Sequence, residues 1–301
     1  MATVKSSAEN LTLNADGSGN DILFQSNGSQ VGSLTAEGVL TATSFAGSGA
    51  ALTGLSSTLG GMTDVSMDIT NFVDGLLIQT NSDGSAPTTG TLSTATGNVG
   101  IGKSTFGALT SGTYNTGLGY DALPALTSGA RNVAIGKDAL KANTSANENT
   151  AVGVYALQAN TTGTPNTAVG YVSLNTNSTG THNAGLGYFS LYANTTGTGN
   201  VAVGSGALDA NTTASSNTAV GYLSLTANTT GANNVGVGRS ALAANTTGAD
   251  NTAMGKYTLD ANTTGANNVA IGNAALGANT TAGNNTAIGY QALTLNTTGA
   301  N

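Results

Sequence analysis

The sequence predicts an all-β protein in which a parallel β-solenoid of twelve 17-residue coils follows a region of short β-strands. Three observations indicate this fold: a repeat of fixed length, a strand-like alternation within it, and a low content of charged residues. Only 7% of the 301 residues are charged, whereas about a quarter are charged in a typical soluble domain. Because the repeat is uninterrupted, we interpret this composition as fibrous rather than disordered.

The repeat begins at Asn98 and continues in steps of 17 residues, without insertion or deletion, to the end of the sequence. Within each unit, position 1 is Asn, position 5 is Gly and position 4 is aliphatic or Met. Position 9 is Leu in eleven units and Phe106 in the first. A unit of this length is too short for the paired helices of α-solenoids, and Asn, Thr and Gly are poor helix formers. The coils should therefore be built from strands.

Each unit divides into three stretches. Positions 1–5 alternate small and larger side chains, which predicts a short strand, and positions 13–17 contain the Thr, Gly and Asn residues that turns use. The middle stretch, Ala-Leu-x-Ala-Asn, is compatible with a second strand or a single helical turn. We favour two strands and two turns per coil. At the usual strand spacing of about 4.8 Å, twelve stacked coils would extend roughly 58 Å.

Stacked coils would place equivalent side chains in ladders along the solenoid. We expect Asn side chains to bond their copies above and below and Gly to occupy the tight turn. The aliphatic residue at position 4 and Leu at position 9 should fill the coil or the seam between coils. The ladder residues that we single out are Asn166, Gly170, Leu174, Asn200, Gly204, Leu208, Asn217, Gly221, Leu225, Asn234, Gly238 and Leu242.

The small core of each coil predicts self-association. A coil offers about two sizeable core side chains, such as Val169 and Leu174, together with small residues such as Ala168. This is little apolar surface for the conformational entropy lost when 17 residues become ordered. We therefore expect a parallel homo-oligomer in which the Ala or Gly at position 3 lets neighbouring chains approach closely.

The N-terminal third reads as short alternating strands separated by Gly, Ser and Asn turns. Residues 21–25 are one such strand, residues 75–79 are an apolar run that predicts a buried strand, and residues 84–87 predict a turn before the array. This third holds eight acidic residues and one basic residue, while the array holds six of each. A neutral array does not attract nucleic acid or anionic membranes. No window has the roughly 18 apolar residues of a membrane span, and no signal peptide is apparent.

The repeats resemble the head repeats of trimeric autotransporter adhesins, as in residues 217–222 (Asn-Thr-Ala-Val-Gly-Tyr) and 268–272 (Asn-Val-Ala-Ile-Gly). The resemblance covers residues 98–301 and implies a left-handed, parallel β-roll in a fibrous homotrimer. The adhesin repeat is shorter than this one.

The N-terminal third resembles segments of bacteriophage tail fibre proteins, in residues 11–17 (Leu-Thr-Leu-Asn-Ala-Asp-Gly) and 38–55. This resemblance implies a virion-attachment region in residues 1–60, a β-rich connector in 61–97 and a shaft in 98–301. It implies phage tail or adaptor proteins as partners, a location in the virion, and an extracellular location after lysis. The alternative is a trimeric adhesin-like fibre on a bacterial surface, which would carry a secretion signal and an anchor. The array ends on a complete unit at Asn301, so we expect a partner or a further segment to cover that end.

The chemistry-bearing residues do not suggest an enzyme, a cofactor or a metal. His182 is the only histidine and occupies a variable position, and no triad or paired carboxylates can be assembled around it. Residues 16–21 (Asp-Gly-Ser-Gly-Asn-Asp) lack the closing Glu of a calcium loop and are read as a turn. The Asn-x-Thr/Ser triplets at Asn143, Asn160 and their equivalents are formal glycosylation acceptors. Their 17-residue spacing favours stacking instead.

Two surface patterns could bind a ligand. Tyrosines at position 6 would either cover the turn or stack against a host surface glycan, and adjacent threonines such as Thr229 and Thr230 raise ice binding as a rival function. Adjacent side chains on a strand point to opposite faces, which disfavours a flat ice-binding surface. The tyrosines in question are Tyr120, Tyr171, Tyr188, Tyr222 and Tyr290.

Overall fold

The computed structural model describes residues 94–299 and the backbone of the strands at 22–26, 29–34, 40–42, 65–66 and 76–78. The chain forms two compact units, Met1–Leu55 and Ser56–Asn301. The turns predicted at residues 16–21 and 84–87 lie outside the described residues, as does the tail-fibre-like segment 11–17.

The first unit contains a three-stranded antiparallel sheet. Its strands are β1 (Ile22–Ser26), β2 (Ser29–Leu34) and β3 (Leu40–Ala42), in that order across the sheet. Ile22 pairs with Leu34, and the register shifts between Phe24 and Gln25. The strand predicted at residues 21–25 is confirmed as β1.

The second unit is a β-solenoid whose 14 strands form one sheet in sequence order. The first two are β4 (Val65–Ser66) and β5 (Leu76–Ile78), and every strand from β5 onwards pairs in parallel with the next. Each repeat residue pairs with the residue 17 positions later, as Thr167 does with Ala184. The predicted solenoid of 17-residue coils is therefore confirmed. The repeat strands are β6 (Val99–Ile101), β7 (Thr116–Leu118), β8 (Val133–Ile135), β9 (Thr150–Val152), β10 (Asn166–Val169), β11 (Asn183–Leu186), β12 (Val201–Val203), β13 (Thr218–Val220), β14 (Val235–Val237), β15 (Thr252–Met254), β16 (Val269–Ile271) and β17 (Thr286–Ile288).

The parallel stack starts one strand before the repeat. Leu76 in β5 pairs with Val99 in β6, and β4 pairs antiparallel with β5. The strand predicted within residues 75–79 is thus present as β5. It is 23 residues from its partner, so a search for a 17-residue period does not place it in the array.

Each coil contains one strand, so our prediction of two strands per coil is wrong. The Ala-Leu-x-Ala-Asn stretch forms turns: the Asn143 N–H donates to the Leu140 carbonyl at 3.2 Å. Asp138 and Leu140, at positions 7 and 9, have φ values of 57° and 51°. Two left-handed residues in three break an extended strand, and they equally prevent the helical turn that we had considered.

Hydrogen bonds between coils continue through these turns. The Leu140 N–H donates to the Ala156 carbonyl at 3.1 Å, and the Thr161 N–H donates to the Ser178 carbonyl at 3.0 Å. The backbone bonds therefore run along the solenoid axis at all sides of the coil.

The core of each coil contains fewer large apolar side chains than the sequence predicted. Asn166 and Ala168 point inward and are buried, while Thr167 and Val169 point outward. Neighbouring residues of a strand face opposite sides, so an inward Asn at position 1 forces position 4 outward. The expectation that Val169 belongs to the core and that position 3 packs between chains is therefore wrong. The interior is instead filled by Leu at position 9, small residues at positions 3 and 8, and asparagine side chains.

Candidate functional site

The first asparagine ladder occupies position 1 of the repeat and is buried. The backbone N–H and the Nδ2 group of Asn217 both donate to Oδ1 of Asn200, at 3.0 and 3.3 Å. The N–H of Asn234 then donates to Oδ1 of Asn217 at 2.9 Å. Asn200 also closes its own coil, because its Nδ2 donates to the Ala214 carbonyl at 2.8 Å. One side chain thus links successive rungs and joins the two ends of each coil.

A second asparagine ladder runs through position 12. The Nδ2 group of Asn228 donates to Oδ1 of Asn211 at 3.1 Å and to the Gly231 carbonyl at 2.9 Å. These asparagines include the glycosylation triplets, and their burial places the amides inside the coil, where stacking explains the spacing. The first two units carry Leu109 and Leu126 at this position instead. Both leucines are fully buried.

The glycine and leucine ladder residues are structural. Gly170, Gly204, Gly221 and Gly238 have φ values between 133° and 138°, and a Cβ on Gly221 would lie 2.6 Å from the Gly238 carbonyl oxygen. The leucines are fully buried within the coils; they are Leu174, Leu208, Leu225 and Leu242. These residues define the coil and leave its surface to carry any binding function.

We call the surface formed by positions 6 and 7 the tyrosine edge. All five tyrosines singled out from the sequence lie on it and are exposed, with exposed fractions between 46% and 74%. Tyr171 and Tyr188 are brought into contact: their rings are stacked with centroids 5.6 Å apart and an angle of 11°.

Sequence analysis missed three further members of this aromatic group. Phe189 packs 4.4 Å from Tyr188, Tyr192 packs 4.9 Å from Phe189, and Tyr155 lies 6.1 Å from Tyr171, measured between ring centroids. They come from positions 7 and 10, which converge on position 6 because the left-handed backbone at position 7 turns the chain. For Tyr155 and Phe189 the only sequence signal was an aromatic residue next to position 6, and Tyr192 at position 10 gave no such signal.

The tyrosine edge also concentrates positive charge. Four of the six basic residues of the array occupy position 6, and each lies over a tyrosine ring: Lys103 and Lys137 over Tyr120, and Arg239 and Lys256 over Tyr257. These are cation–π geometries. A cationic and aromatic surface can hold an anionic or polyhydroxylated ligand.

A second surface, which we call the strand face, consists of the outward side chains at positions 2 and 4. Position 2 is Thr, Val or Ala and position 4 is Val, Ile, Leu or Met, so no charged residue interrupts it. Large side chains on this face are well exposed, including Leu186 at 50% and Met254 at 43%. An exposed apolar surface of this length is typical of a binding interface.

The strongest charge cluster in residues 94–299 joins neighbouring coils. Lys141 Nζ lies 2.7 Å from Asp138 Oδ1 and 3.5 Å from Asp121 Oδ2. The hydrogen bond to Asp138 raises the pKa of Lys141.

The single histidine is not part of a cluster. His182 is exposed, and its Nδ1 lies 3.1 Å from Oγ1 of its neighbour Thr181. Among the described residues, no three His, Asp or Glu side chains are grouped as metal ligands. The same part of the chain contains no helix with the length and apolarity needed to cross a membrane.

The threonine pairs do not form a common outward surface. The Thr229 hydroxyl donates to the Thr246 carbonyl at 3.1 Å, and the Thr246 hydroxyl donates to the Thr263 carbonyl at the same distance. These hydroxyls link the coils, so in a pair such as Thr229 and Thr230 the first threonine is half-buried and only the second is exposed. This arrangement disfavours the ice-binding rival.

These features define a β-solenoid repeat protein with two candidate interaction surfaces. No family model, curated protein or solved structure matches the chain.

Proposed function

We propose that this chain is a structural virion fibre, a bacteriophage tail fibre, and not an enzyme. Residues 1–60 attach to the phage tail or an adaptor protein, and residues 98–301 form the shaft. Residues 61–97 are a β-rich connector between these two regions. The shaft projects toward the host surface and serves adhesion. The fibre belongs to the virion and is extracellular after lysis. The tail-fibre resemblance of residues 11–17 and 38–55 supports the attachment role.

The observation that carries the proposal is the strand face. It runs along all twelve units without a charge, so an isolated solenoid would expose two columns of mostly apolar side chains to water. Identical parallel chains present these columns in matching register, and packing them together removes the apolar surface from water. We therefore propose a parallel homotrimer joined through the strand face. The number three follows the adhesin-like repeats.

Electron microscopy of purified phage with an antibody against the repeat array tests this function. Labelled phage tails are the expected result. Label on bacterial cell envelopes, with unlabelled tails, would instead support an adhesin-like surface fibre. A thermal hysteresis assay on the purified protein should show no activity, as expected for a shaft and contrary to an ice-binding protein.

A further inference from the structure

Three cations on the tyrosine edge have no acidic partner among residues 94–299, and two of them, Arg239 and Lys256, lie in successive coils. The Arg239 guanidinium carbon lies 5.9 Å from the Tyr222 ring centroid and 5.6 Å from that of Tyr257, and Lys256 Nζ lies 4.7 Å from the Tyr257 centroid. Among the described residues, no carboxylate lies within 4.0 Å of Arg239 or Lys256. Their positive charge is therefore not neutralised by an ion pair.

Three other cations of the array, unlike Lys103, do have carboxylate partners. Arg131 pairs with Glu148 at 2.8 Å, Lys141 pairs with Asp138 at 2.7 Å, and Lys137 has Asp138 at 4.0 Å. Tyr222, Arg239 and Lys256 occupy position 6 of successive coils, so neighbouring side chains start about 4.8 Å apart. This spacing lets two cations reach one anionic group.

We propose that Tyr222, Arg239, Lys256 and Tyr257 bind an acidic sugar unit of a polysaccharide. The guanidinium and ammonium groups donate charge-assisted hydrogen bonds to its carboxylate or phosphate oxygens. Tyrosine has an apolar ring with a hydroxyl at its end, which suits a sugar ring that displays both C–H and O–H groups. As a host-surface partner this ligand rests on the proposed adhesive function, although the binding itself is a property of the shaft.

The surrounding charge favours a polysaccharide over a nucleic acid. The array is neutral overall, with six acidic and six basic residues, and it lacks the extended basic surface that tracks a phosphate backbone. The stacked Tyr171 and Tyr188 belong to the same edge, closer to the N-terminus. A polysaccharide that lies along the solenoid axis can reach both places.

Calorimetric titration of the full chain at low ionic strength tests the assignment. Hexagalacturonate, which carries a carboxylate on each sugar, should bind at least tenfold more tightly than neutral maltohexaose. Lys256→Asn should weaken binding of hexagalacturonate at least tenfold, and Tyr257→Ser should also weaken it. Inorganic phosphate should compete with hexagalacturonate, because both offer anionic oxygens to the two cations.

The repeat itself supplies substitutions that the fold tolerates. Asn273 occupies position 6 of the next unit, which is the position of Lys256. Ser240 occupies position 7 of the preceding unit, which is the position of Tyr257. Arg131→Asn is the matched control, because it also removes one exposed cation and installs a residue that Asn233 already provides at position 17. This control should leave the affinity unchanged, and all three variants should keep the wild-type melting temperature within a few degrees.

Several outcomes would overturn the proposal. Equal affinity of the wild type and Lys256→Asn would exclude Lys256 as a ligand-binding residue. Equal binding of maltohexaose would exclude recognition of the acid group, and equally tight binding of hexaglutamate would show attraction to any polyanion. None of these results affects the antibody labelling of phage tails. The labelling experiment therefore tests the proposed function independently of the binding experiment.

Discussion

The glycine at position 5 makes the tight turn of each coil possible. Gly221 has φ of 133°, and a Cβ there would lie 2.6 Å from the carbonyl oxygen and 2.7 Å from the carbonyl carbon of Gly238. This backbone region is essentially restricted to glycine. By contrast, Gly206 at position 7 has φ of 66°, and Ala274 adopts φ of 54° at the same position.

Gly221→Ala should lower the free energy of unfolding by about 2 kcal/mol or more, because it combines backbone strain with a clash against the next coil. Gly206→Ala is the control and should change it by less than about 1 kcal/mol, since alanine is tolerated there and only the flexible Leu223 side chain must move. Urea unfolding followed by circular dichroism measures both. Equal effects would show that the clash is relieved by a backbone shift.

A second residue-scale prediction concerns Asp260, whose pKa is raised by burial. A carboxyl group with a higher pKa in the folded state contributes stability below its unfolded pKa and loses it as pH rises through the folded pKa. Asp260→Asn should therefore raise the melting temperature at pH 7, and the difference should vanish below about pH 4. Asn175 already occupies this position in another unit.

Asp209→Asn is the control for this effect, because Asp209 occupies the same position of another coil and accepts a hydrogen bond from the Thr226 hydroxyl at 2.8 Å. No gain in melting temperature is expected there. A gain for Asp260→Asn that persisted unchanged at pH 3 would show that titration is not its cause.

At the scale of the element, the asparagine ladders hold the coils in register. From Asn160 to Asn262, each amide of the position-12 ladder both donates and accepts: Asn245 donates to Asn228 at 2.8 Å, and Asn228 donates to Asn211 at 3.1 Å. Since these groups are buried, removal of one amide leaves neighbours without a partner in a place that water does not reach.

Asn228→Leu should therefore cost about 2 kcal/mol or more of unfolding free energy, although leucine is the native residue at this position in the first two units. Asn273→Leu is a matched control on the exposed surface and should change the stability by less than about 0.5 kcal/mol. Urea unfolding compares the two. If Asn228→Leu were as mild as the control, hydrophobic burial would outweigh the lost amide bonds.

The strand face gives an element-scale test of self-association. Val220→Glu combined with Val237→Glu places two charges on this face, and burying them between chains would be unfavourable. Sedimentation equilibrium should show a trimer for the wild type and a monomer for this variant. Thr213→Glu combined with Thr230→Glu adds the same charge on exposed positions elsewhere and should remain trimeric. A monomeric wild type would contradict the proposed homotrimer.

At the scale of the solenoid unit, stability is distributed over contacts between neighbouring coils, as in other solenoids. Deletion of residues 217–267 removes three complete units and joins two coils in their native register. Such a protein should fold and be shorter by roughly 14 Å. Small-angle scattering and thermal melting measure length and stability.

Deletion of residues 217–259 is the matched control for register, because its length is not a multiple of the repeat. It should expose buried asparagines and lose the cooperative transition. If both deletions melted alike, the 17-residue register would not be the source of order.

The sequence by itself determined the rung-by-rung register and the ladders of Asn, Gly and Leu. Because every unit has the same length, residue i must meet residue i+17, and this holds from Asn98 to the last paired strand. The strand near Ile22 and the apolar strand at Leu76 were also predicted from local patterns, although their pairing was not.

Only the tertiary structure decided which side chains face the core. The asparagine at position 1 must reach the carbonyl that closes its coil, and this long-range bond turns Val169 outward against the hydrophobic pattern. Turns with left-handed residues stand where a second strand was predicted, and they bring Phe189 beside Tyr188 and Tyr192 beside Phe189. These features depend on how each coil closes in three dimensions. The length of the sequence repeat does not specify that closure.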